Sequence, residues 1–185
     1  MFPTDYFYAP VAYLYCHGVI SGYSDGTFRP AGFTTRGQMT KIVVLGFGFP
    51  IWIPAPPAPP TFSDVPRADP FFAYIETAAH YGIVSGYQDG SFHPAADVAR
   101  GQLAKMVVAA AGRVEGWPLL DPPAATFSDV PRGSAFYPFV ETAVCHGVIS
   151  GYAGGVFRPG NSATRGQIAK IEYLAVLNGG SCAGP

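Results

Sequence analysis

Residues 82–94 read Gly-Ile-Val-Ser-Gly-Tyr-Gln-Asp-Gly-Ser-Phe-His-Pro, and residues 100–105 continue as Arg-Gly-Gln-Leu-Ala-Lys. Closely similar stretches occur twice more, at residues 18–41 and 147–170. The Arg-Gly-Gln triplets begin at positions 36, 100 and 165, so the copies are 64 and 65 residues apart. Self-similarity at a nearly fixed period is typical of repeat architectures. The chain is therefore predicted to consist of three tandem copies of one unit.

Each unit is predicted to contain two helices joined by a turn. In copy two, apolar residues at helical spacing begin at Phe71 and stop before Gly82, which suits a helix end. Asp-Gly at 89–90 favours a turn, and a second helix is predicted to open at Arg100. Glu172 interrupts the apolar face of the second helix in copy three. The same face in copy two comprises Leu103, Met106, Val107 and Ala110.

Capping residues precede both helices. Asp5, Asp69 and Ser134 occupy one equivalent position and are predicted to be the N-caps of the first helices. Thr35 and Thr164 are each followed three residues later by Gln, which is a capping-box pattern. That pattern predicts that the Arg after each Thr is the first helical residue. Copy two lacks the Thr cap, because it has Ala99 there, and its site is predicted to be weaker.

The units are separated by two Pro-containing linkers. Phe-Ser-Asp-Val-Pro follows each linker, at 62–66 and 127–131, and its equivalent in copy one falls before residue 1. Two short helices cannot bury an apolar face alone. We therefore predict a mainly α, pseudo-threefold bundle of three helix–loop–helix repeats with peripheral loops. Its predicted parts are repeat 1 at 1–49 with its start missing, an extended Pro-rich linker at 50–60, repeat 2 at 61–115, a linker at 116–125, repeat 3 at 126–178 and a flexible tail at 179–185.

Composition excludes several classes of partner. Charged residues make up 12% of the chain and the net charge is −1, so nucleic-acid binding by counterion release is not expected. The longest apolar run, 42–53, is too short to span a bilayer and is interrupted by Gly and Pro, so no membrane insertion is expected. Residues 1–5 lack the features of a signal peptide, so a secretion signal is expected outside this chain.

Phe-Ser-Asp-Val-Pro, the Gly-Ile-Val-Ser-Gly-Tyr stretch and the Arg-Gly-Gln triplet together resemble the S-layer homology repeat. The pattern occurs in three successive copies that together cover nearly the whole chain. The resemblance implies a three-pronged helical bundle, an extracellular location on the bacterial cell surface, and non-covalent binding of an anionic secondary cell-wall polysaccharide that often carries pyruvate. The family's Thr-Arg-Ala-Glu motif is replaced here by Thr-Arg-Gly-Gln or Ala-Arg-Gly-Gln. That change leaves open which glycan is bound and whether it is pyruvylated.

The Arg-Gly-Gln triplets are the predicted glycan-binding sites. A helix N-terminus offers N–H groups and partial positive charge, and a guanidinium matches a carboxylate. The alternative is a structural role in which each Arg pairs with Asp or Glu across repeats. The predicted site comprises Arg36, Gly37, Gln38, Arg100, Gly101, Gln102, Arg165, Gly166 and Gln167. Two further sets of equivalent residues each have two possible roles. Sugar stacking or packing is possible for Tyr23, Tyr87 and Tyr152, and a structural or a solvated role is expected for Lys41, Lys105 and Lys170.

Neither catalysis nor a cofactor is expected. Glu76 and Glu141 match each other in different copies, and no nucleophile–base–orienter set is visible. Cys16 and Cys145 each precede a His, but adjacent helical residues point in different directions, so no metal site is predicted. Cys182 is free to bond Cys145, Cys16 or another chain, and the pair Cys145–Cys182 is one candidate disulfide.

A second function is compatible with the same residues. The apolar segment 47–53 is unusual on a soluble monomer, and the gap in copy one is a place that a neighbouring chain can fill. These features favour a self-assembling structural subunit of a surface layer, tube or extracellular filament, whose partners are copies of itself.

Overall fold

The computed structural model describes residues 1–177 and Cys182. Within these residues the chain forms six helices and almost no strand, which confirms the mainly α prediction. The predicted flexible tail, Cys182 apart, lies outside the described residues. The helices are α1 (Tyr8–Cys16), α2 (Arg36–Gly46), α3 (Phe72–His80), α4 (Arg100–Val114), α5 (Tyr137–Cys145) and α6 (Arg165–Leu177).

The second helices begin where the capping pattern predicts. The Thr35 hydroxyl accepts from the Gln38 backbone N–H at 3.3 Å, and the Gln38 side-chain oxygen accepts from the Thr35 N–H at 3.0 Å. Thr164 and Gln167 form the same pair of bonds. In copy two, by contrast, Ala99 has no hydroxyl and only the Gln side-chain bond is present.

The first helices begin two residues later than N-caps at Asp5, Asp69 and Ser134 predict. The Asp69 carboxylate and its backbone carbonyl accept from the N–H groups of Phe71 and Phe72, at 2.7 and 3.0 Å. These bonds close a turn that precedes the helix, so Asp69 is not its N-cap. Ser134 likewise binds the N–H of Phe136. The helices nevertheless end as predicted, because Gly18, Gly82 and Gly147 follow them with φ near +70°.

The second helices form the centre of the molecule. α2, α4 and α6 contact one another pairwise. Each also carries the first helix of a different repeat, with α1 on α6, α3 on α2 and α5 on α4. The equivalent side chains Val43, Val107 and Glu172 are all fully buried. A unit therefore buries its apolar faces against its neighbours, as the shortness of its helices requires.

The Pro-rich linker is docked on repeat 2. The Trp52 N–H donates to the Thr77 hydroxyl at 2.9 Å, and the indole stacks on His80 with ring centroids 4.3 Å apart. The expectation of a continuously extended linker is wrong, because the Ala58 N–H donates to the Ala55 carbonyl at 3.0 Å and closes a turn. Arg67 stabilises this turn by donating to carbonyls on both sides of it.

Candidate functional site

The arginine of each Arg-Gly-Gln triplet reaches into the loop of another repeat. Arg36 Nε donates to the Phe92 carbonyl at 2.8 Å, and Arg100 Nε donates to the Phe157 carbonyl at 2.9 Å. Arg165 Nε closes the series by donating to the Phe28 carbonyl of repeat 1 at 2.8 Å. The arginines therefore join repeat 1 to 2, 2 to 3 and 3 to 1. Their acceptors are backbone carbonyls rather than the Asp or Glu carboxylates of the structural alternative.

Each guanidinium also lies against two aromatic rings. The Arg100 guanidinium carbon is 4.5 Å from the centre of the buried Phe157 ring and 4.8 Å from that of Tyr152. Arg36 and Arg165 make the same pair of contacts. The tyrosines are not core plugs, because their exposed fractions are 38% for Tyr23, 44% for Tyr87 and 36% for Tyr152. The packing role belongs instead to Phe28, Phe92 and Phe157.

The backbone N–H groups at the helix starts are already bonded. The N–H of Arg36 donates to the Ala96 carbonyl at 2.8 Å, and the N–H of Gly37 donates to the Pro94 carbonyl at 2.9 Å. The corresponding groups of α4 and α6 have equivalent partners. The expectation of N–H groups open to a ligand is therefore wrong at these positions, because the loop of the next repeat binds them first.

The glycines of the triplets are packing positions. A Cβ on Gly101 would lie 2.6 Å from the Phe136 ring, and one on Gly37 would lie 2.7 Å from Phe71. These rings precede the first helix of the following repeat, so glycine allows that helix to approach. All three triplet glycines are buried and none lines a groove described below.

Three grooves of matching composition lie between the repeats. Each groove is numbered by the repeat whose second helix supplies its Gln and Lys. The repeat before it supplies an Arg and the repeat after it supplies an aromatic ring, with repeat 3 counted as the one before repeat 1. Their volumes are about 230, 150 and 410 Å³ for grooves 1, 2 and 3. Groove 1 includes Gln38, Lys41, Phe71 and Arg165; groove 2 includes Arg36, Gln102, Lys105 and Phe136; groove 3 includes Tyr6, Arg100, Gln167 and Lys170.

The lysines are the groove residues that the sequence reasoning missed. Lys105 lies about 140° around α4 from Arg100, so one helix does not bring the two charges together. In the structure Lys105 shares a groove with Arg36 of the preceding repeat instead. Their regular spacing in the sequence was the available signal, but the partner arginine becomes apparent only when the repeats are packed.

Electrostatically, all three grooves are cationic. Burial lowers the pKa of the guanidinium groups of Arg36, Arg100 and Arg165. They remain charged near neutral pH because an arginine pKa starts above about 12. Among the described residues that line the three grooves, there is no Asp or Glu. The Gln side chains reach the same surfaces, and Gln102 and Gln167 donate to the hydroxyls of Tyr87 and Tyr152.

The paired carboxylates are structural. The Glu76 carboxylate is buried and accepts from the Thr61 N–H and hydroxyl at 2.7 and 2.6 Å, and Glu141 binds Thr126 in the same way. Each therefore fixes the chain where it enters a repeat. In the part of the chain that the structure describes, no three His, Cys, Asp or Glu side chains are grouped to hold a metal ion.

The cysteines differ in state. Cys145 and Cys182 are joined by a disulfide in the structure, with Cα atoms 5.4 Å apart. Cys16 is exposed and carries a free thiol.

Replacing Arg100 with Ala should lower the free energy of unfolding by about 2 kcal/mol. The carbonyls of Phe157 and Ser150 lose a charged donor, and two aromatic rings lose their cation contact. Urea denaturation checks this value. Arg132→Ala is the control, because that guanidinium is exposed and should leave stability nearly unchanged. A variant at position 100 as stable as the native protein would contradict a linking role for this arginine.

The comparisons with known proteins agree with the repeat pattern. The family model for the S-layer homology domain matches residues 2–40, 61–104 and 126–169. The chain is 31% identical over 166 residues to cell surface glycoprotein 1 of Acetivibrio thermocellus, covering 86% of this chain and 7% of that protein. It is 33% identical over 93 residues to an uncharacterized cell wall amidase of Bacillus anthracis, covering 49% of this chain and 16% of the relative.

A third relative is a surface layer protein of Brevibacillus choshinensis, 30% identical over 95 residues, with 51% of this chain and 8% of the relative covered. The chain thus spans less than a fifth of the length of each of these relatives. Across residues 1–177, no helix combines the length and apolar character needed to cross a membrane.

Proposed function

The chain belongs to the S-layer homology domain family, and from that premise we propose that it is a non-catalytic module that attaches a protein to an anionic cell-wall polysaccharide at the bacterial cell surface. The printed names of its relatives, a cell surface glycoprotein and a surface layer protein, support this location. The relative named as an amidase is matched over only 16% of its length, which supports a shared attachment module rather than shared catalysis.

The proposed framework is a pseudo-threefold bundle. Two sets of contacts support it, namely the pairwise packing of α2, α4 and α6 and the arginine bonds that run from each repeat to the next and back to the first. In this arrangement every groove needs all three repeats. Glycan binding then depends on the assembled bundle and not on any single repeat.

The observation that carries the proposal is the pairing of Arg and Lys in each groove, with no carboxylate among the lining residues that the structure describes. A uronic acid or a pyruvate ketal presents a carboxylate that a guanidinium binds through two parallel hydrogen bonds. Arg100 is only 4% exposed, and within the described residues its Nε and one Nη2 hydrogen donate to carbonyls, so its other three N–H groups have no protein acceptor there.

The neutral Gln side chains fit the same ligand. Gln102 accepts from the Ala99 N–H through its oxygen, so its amide nitrogen is directed toward Tyr87 and the groove. A Glu at this position would cap the helix equally but would bring a negative charge to the groove. The Arg-Gly-Gln motif therefore acts through its Arg and Gln, while the buried Gly acts indirectly by positioning the adjoining helix. The exposed tyrosines offer ring faces for sugar stacking.

The test is co-sedimentation with cell-wall sacculi of a variant carrying Lys41→Met, Lys105→Met and Lys170→Met. These side chains are partly exposed, and each Nζ lies 5.6–5.7 Å from the centroid of a neighbouring aromatic ring. The variant should therefore fold normally. We expect at least about a tenfold loss of affinity at physiological salt, since each groove loses one of its two charges.

A matched control carries Arg67→Met, Arg113→Met and Arg132→Met, which changes the net charge equally at exposed positions outside the three grooves. It should bind within about twofold of the native protein. Equal losses of affinity in the two variants would indicate that the protein binds the sacculi by general charge attraction instead. Undiminished binding by the lysine variant would contradict the groove assignment.

Self-assembly is the second candidate function, and one observation favours it. Ile51, Trp52 and Ile53 form an exposed apolar strip with 49, 38 and 45% of their surfaces accessible. Contiguous exposed apolar surface is a mark of interaction sites. Sedimentation of the chain without sacculi, included in the same experiment, separates assembly from attachment.

A further inference from the structure

The three grooves differ in size although their composition matches. Groove 3 has a volume of about 410 Å³, compared with about 230 and 150 Å³ for grooves 1 and 2. Sites that bind small ligands usually measure about 300–1,000 Å³, so groove 3 alone of the three is in that range. The segments 61–66 and 126–131, which the structure describes in full, line neither groove 1 nor groove 2. The difference in size therefore does not come from the segment that enters a repeat.

The aromatic ring that lines groove 3 comes from a different position of its repeat. Tyr6 lines this groove in place of Phe7, which is the residue equivalent to Phe71 and Phe136. A Cβ on Gly166 would lie 3.1 Å from the Phe7 ring, whereas the corresponding distances at the other two triplet glycines are 2.7 and 2.6 Å. Phe7 thus packs less closely against its triplet than the equivalent rings do, which leaves more room in groove 3.

A third cation adjoins groove 3. Tyr152 lines the groove, and the guanidinium carbons of Arg100 and Arg158 each lie 4.8 Å from the centre of its ring. The two guanidinium groups are therefore no more than twice that distance apart. Arg100 is almost fully buried, whereas Arg158 is exposed. Together with Lys170, they place three positive charges at or beside one groove.

The backbone at Arg158 is held in a conformation that favours glycine. Its φ is 59°, and the equivalent residues Arg29 and His93 have φ values of 55° and 57°. Any side chain is strained in this region, yet all three copies carry one that can be positively charged. Strained residues of this kind cluster at functional sites, which indicates that the side chain has a role beyond the turn.

In repeats 1 and 2 a carboxylate lies beside the equivalent side chain. Arg29 Nη2 donates to the Asp25 carboxylate at 2.8 Å, and the two form an ion pair. In repeat 2, His93 Nδ1 lies 3.6 Å from an oxygen of the Asp64 carboxylate. These side chains are therefore less available to an anionic ligand.

Repeat 3 lacks such a pair. Gly154 occupies the position of Asp25, so the turn carries no carboxylate there. Asp129 accepts from the backbone N–H of Arg158 at 2.7 Å, and within the described residues no carboxylate forms an ion pair with the Arg158 guanidinium. An exposed guanidinium without an ion-pair partner, beside the largest of the three grooves, is suited to bind an acidic group.

We propose that groove 3 is the principal glycan site of this chain and that it extends past Tyr152 to Arg158, so that it binds a glycan segment with two acidic groups. The first acidic group binds Arg100 and Lys170 within the groove, and the second binds Arg158 beside it. This inference rests on the proposed glycan attachment and adds which groove contributes most of the affinity. Grooves 1 and 2 contribute less, because they are smaller and the outer side chain beside each of them already has a carboxylate next to it.

The first test compares single lysine variants in co-sedimentation with cell-wall sacculi. Lys170→Met should lose at least about fivefold in affinity, whereas Lys41→Met and Lys105→Met should each lose about twofold. The three substitutions change the net charge equally, so a larger loss in one of them reports on its groove. Equal losses from the three would overturn the leading role of groove 3 while leaving the proposed attachment intact. Undiminished binding by the triple lysine variant would contradict the attachment through the grooves, and this inference with it.

The second test addresses the second acidic group through Arg158. Arg158→Met should lower the affinity for sacculi at least about fivefold, and Arg158→Lys, which keeps the charge, should lower it less than about threefold. The matched control is Arg29→Met, which removes the same charge at the equivalent position of repeat 1. It should lower the affinity less than about twofold, because Asp25 already pairs with that guanidinium.

Urea denaturation of Arg158→Met separates binding from folding. Because the Arg158 side chain is exposed, the variant should unfold at nearly the same urea concentration as the native protein. Equal affinities of Arg158→Met and Arg29→Met for sacculi would overturn the second acidic group. So would a loss of affinity in Arg158→Met that Arg158→Lys shares in full, since a charge-dependent contact should be kept by lysine.

Discussion

Replacing Glu172 with Gln should raise the free energy of unfolding at pH 8 by about 4 kcal/mol and leave it nearly unchanged at pH 4.5. Glu172 lies in α6 at the position of Val43 and Val107, and none of its surface is exposed. Within the described residues neither carboxylate oxygen has a hydrogen-bond partner. Burial therefore raises the pKa of Glu172 from 4.5 to about 8.

The direction in which the free energy of unfolding changes with pH follows from proton binding. In the unfolded chain this carboxyl loses its proton near pH 4.5, whereas the folded protein holds it up to about pH 8. Between these values the folded state binds one more proton, so stability falls by about 1.4 kcal/mol per pH unit as pH rises. The contribution of this bound proton to the free energy of unfolding is complete below pH 4.5 and is lost as the pH rises through about 8.

Urea denaturation of the native protein, Glu172→Gln and Glu172→Val between pH 4.5 and 9 measures this effect. In both variants the free energy of unfolding should no longer fall with pH in this way, because neither side chain can ionise. Glu115→Gln, at an exposed position, controls for the change in net charge. Parallel curves for the native protein and Glu172→Gln would mean that the buried carboxyl is not protonated in the folded state.

Replacing Gly86 with Ala should lower the free energy of unfolding by roughly 3 kcal/mol. Gly86 has a φ of 45°, which disfavours any side chain, and a Cβ there would overlap the Phe62 ring and lie 2.7 Å from the Ser91 carbonyl oxygen. The added methyl group must displace the segment that enters repeat 2.

Repeat 1 supplies the matched control. Gly22 is the equivalent residue, its backbone is outside the left-handed region, and a Cβ there would meet only the Thr27 backbone, at 3.0 Å from the carbonyl oxygen. Gly22→Ala should therefore cost less than about 1 kcal/mol. Thermal and urea unfolding of the two variants give the comparison. Equal losses would show that the Phe62 contact does not govern the effect.

Much of the local structure could be predicted because it depends on nearby residues. The capping boxes at Thr35 and Thr164 involve groups three residues apart, so the helix starts at Arg36 and Arg165 follow from the sequence. The predicted starts of the first helices are two residues early because Asp69 and Ser134 stabilise a preceding turn. Both patterns use the same polar side chains, and the sequence alone does not distinguish them.

The candidate site was predictable only in part. The triplet arginines were singled out by their position at three helix starts, and they do line the grooves. The backbone N–H groups beside them were expected to be open, yet Arg36 and Gly37 donate to the loop of repeat 2, about 60 residues away in the chain. No local pattern encodes such a contact.

The sequence by itself determined the number of repeats, the two helices of each and the family, because these depend on periodicity and on hydrogen bonds within a few residues. Only the tertiary structure decided that Lys105 shares a groove with Arg36 and that Glu172 is fully buried. These features arise where different repeats meet or where one repeat differs from the others. They depend on which side chains packing brings together across long stretches of chain, and helical spacing within one element does not specify that.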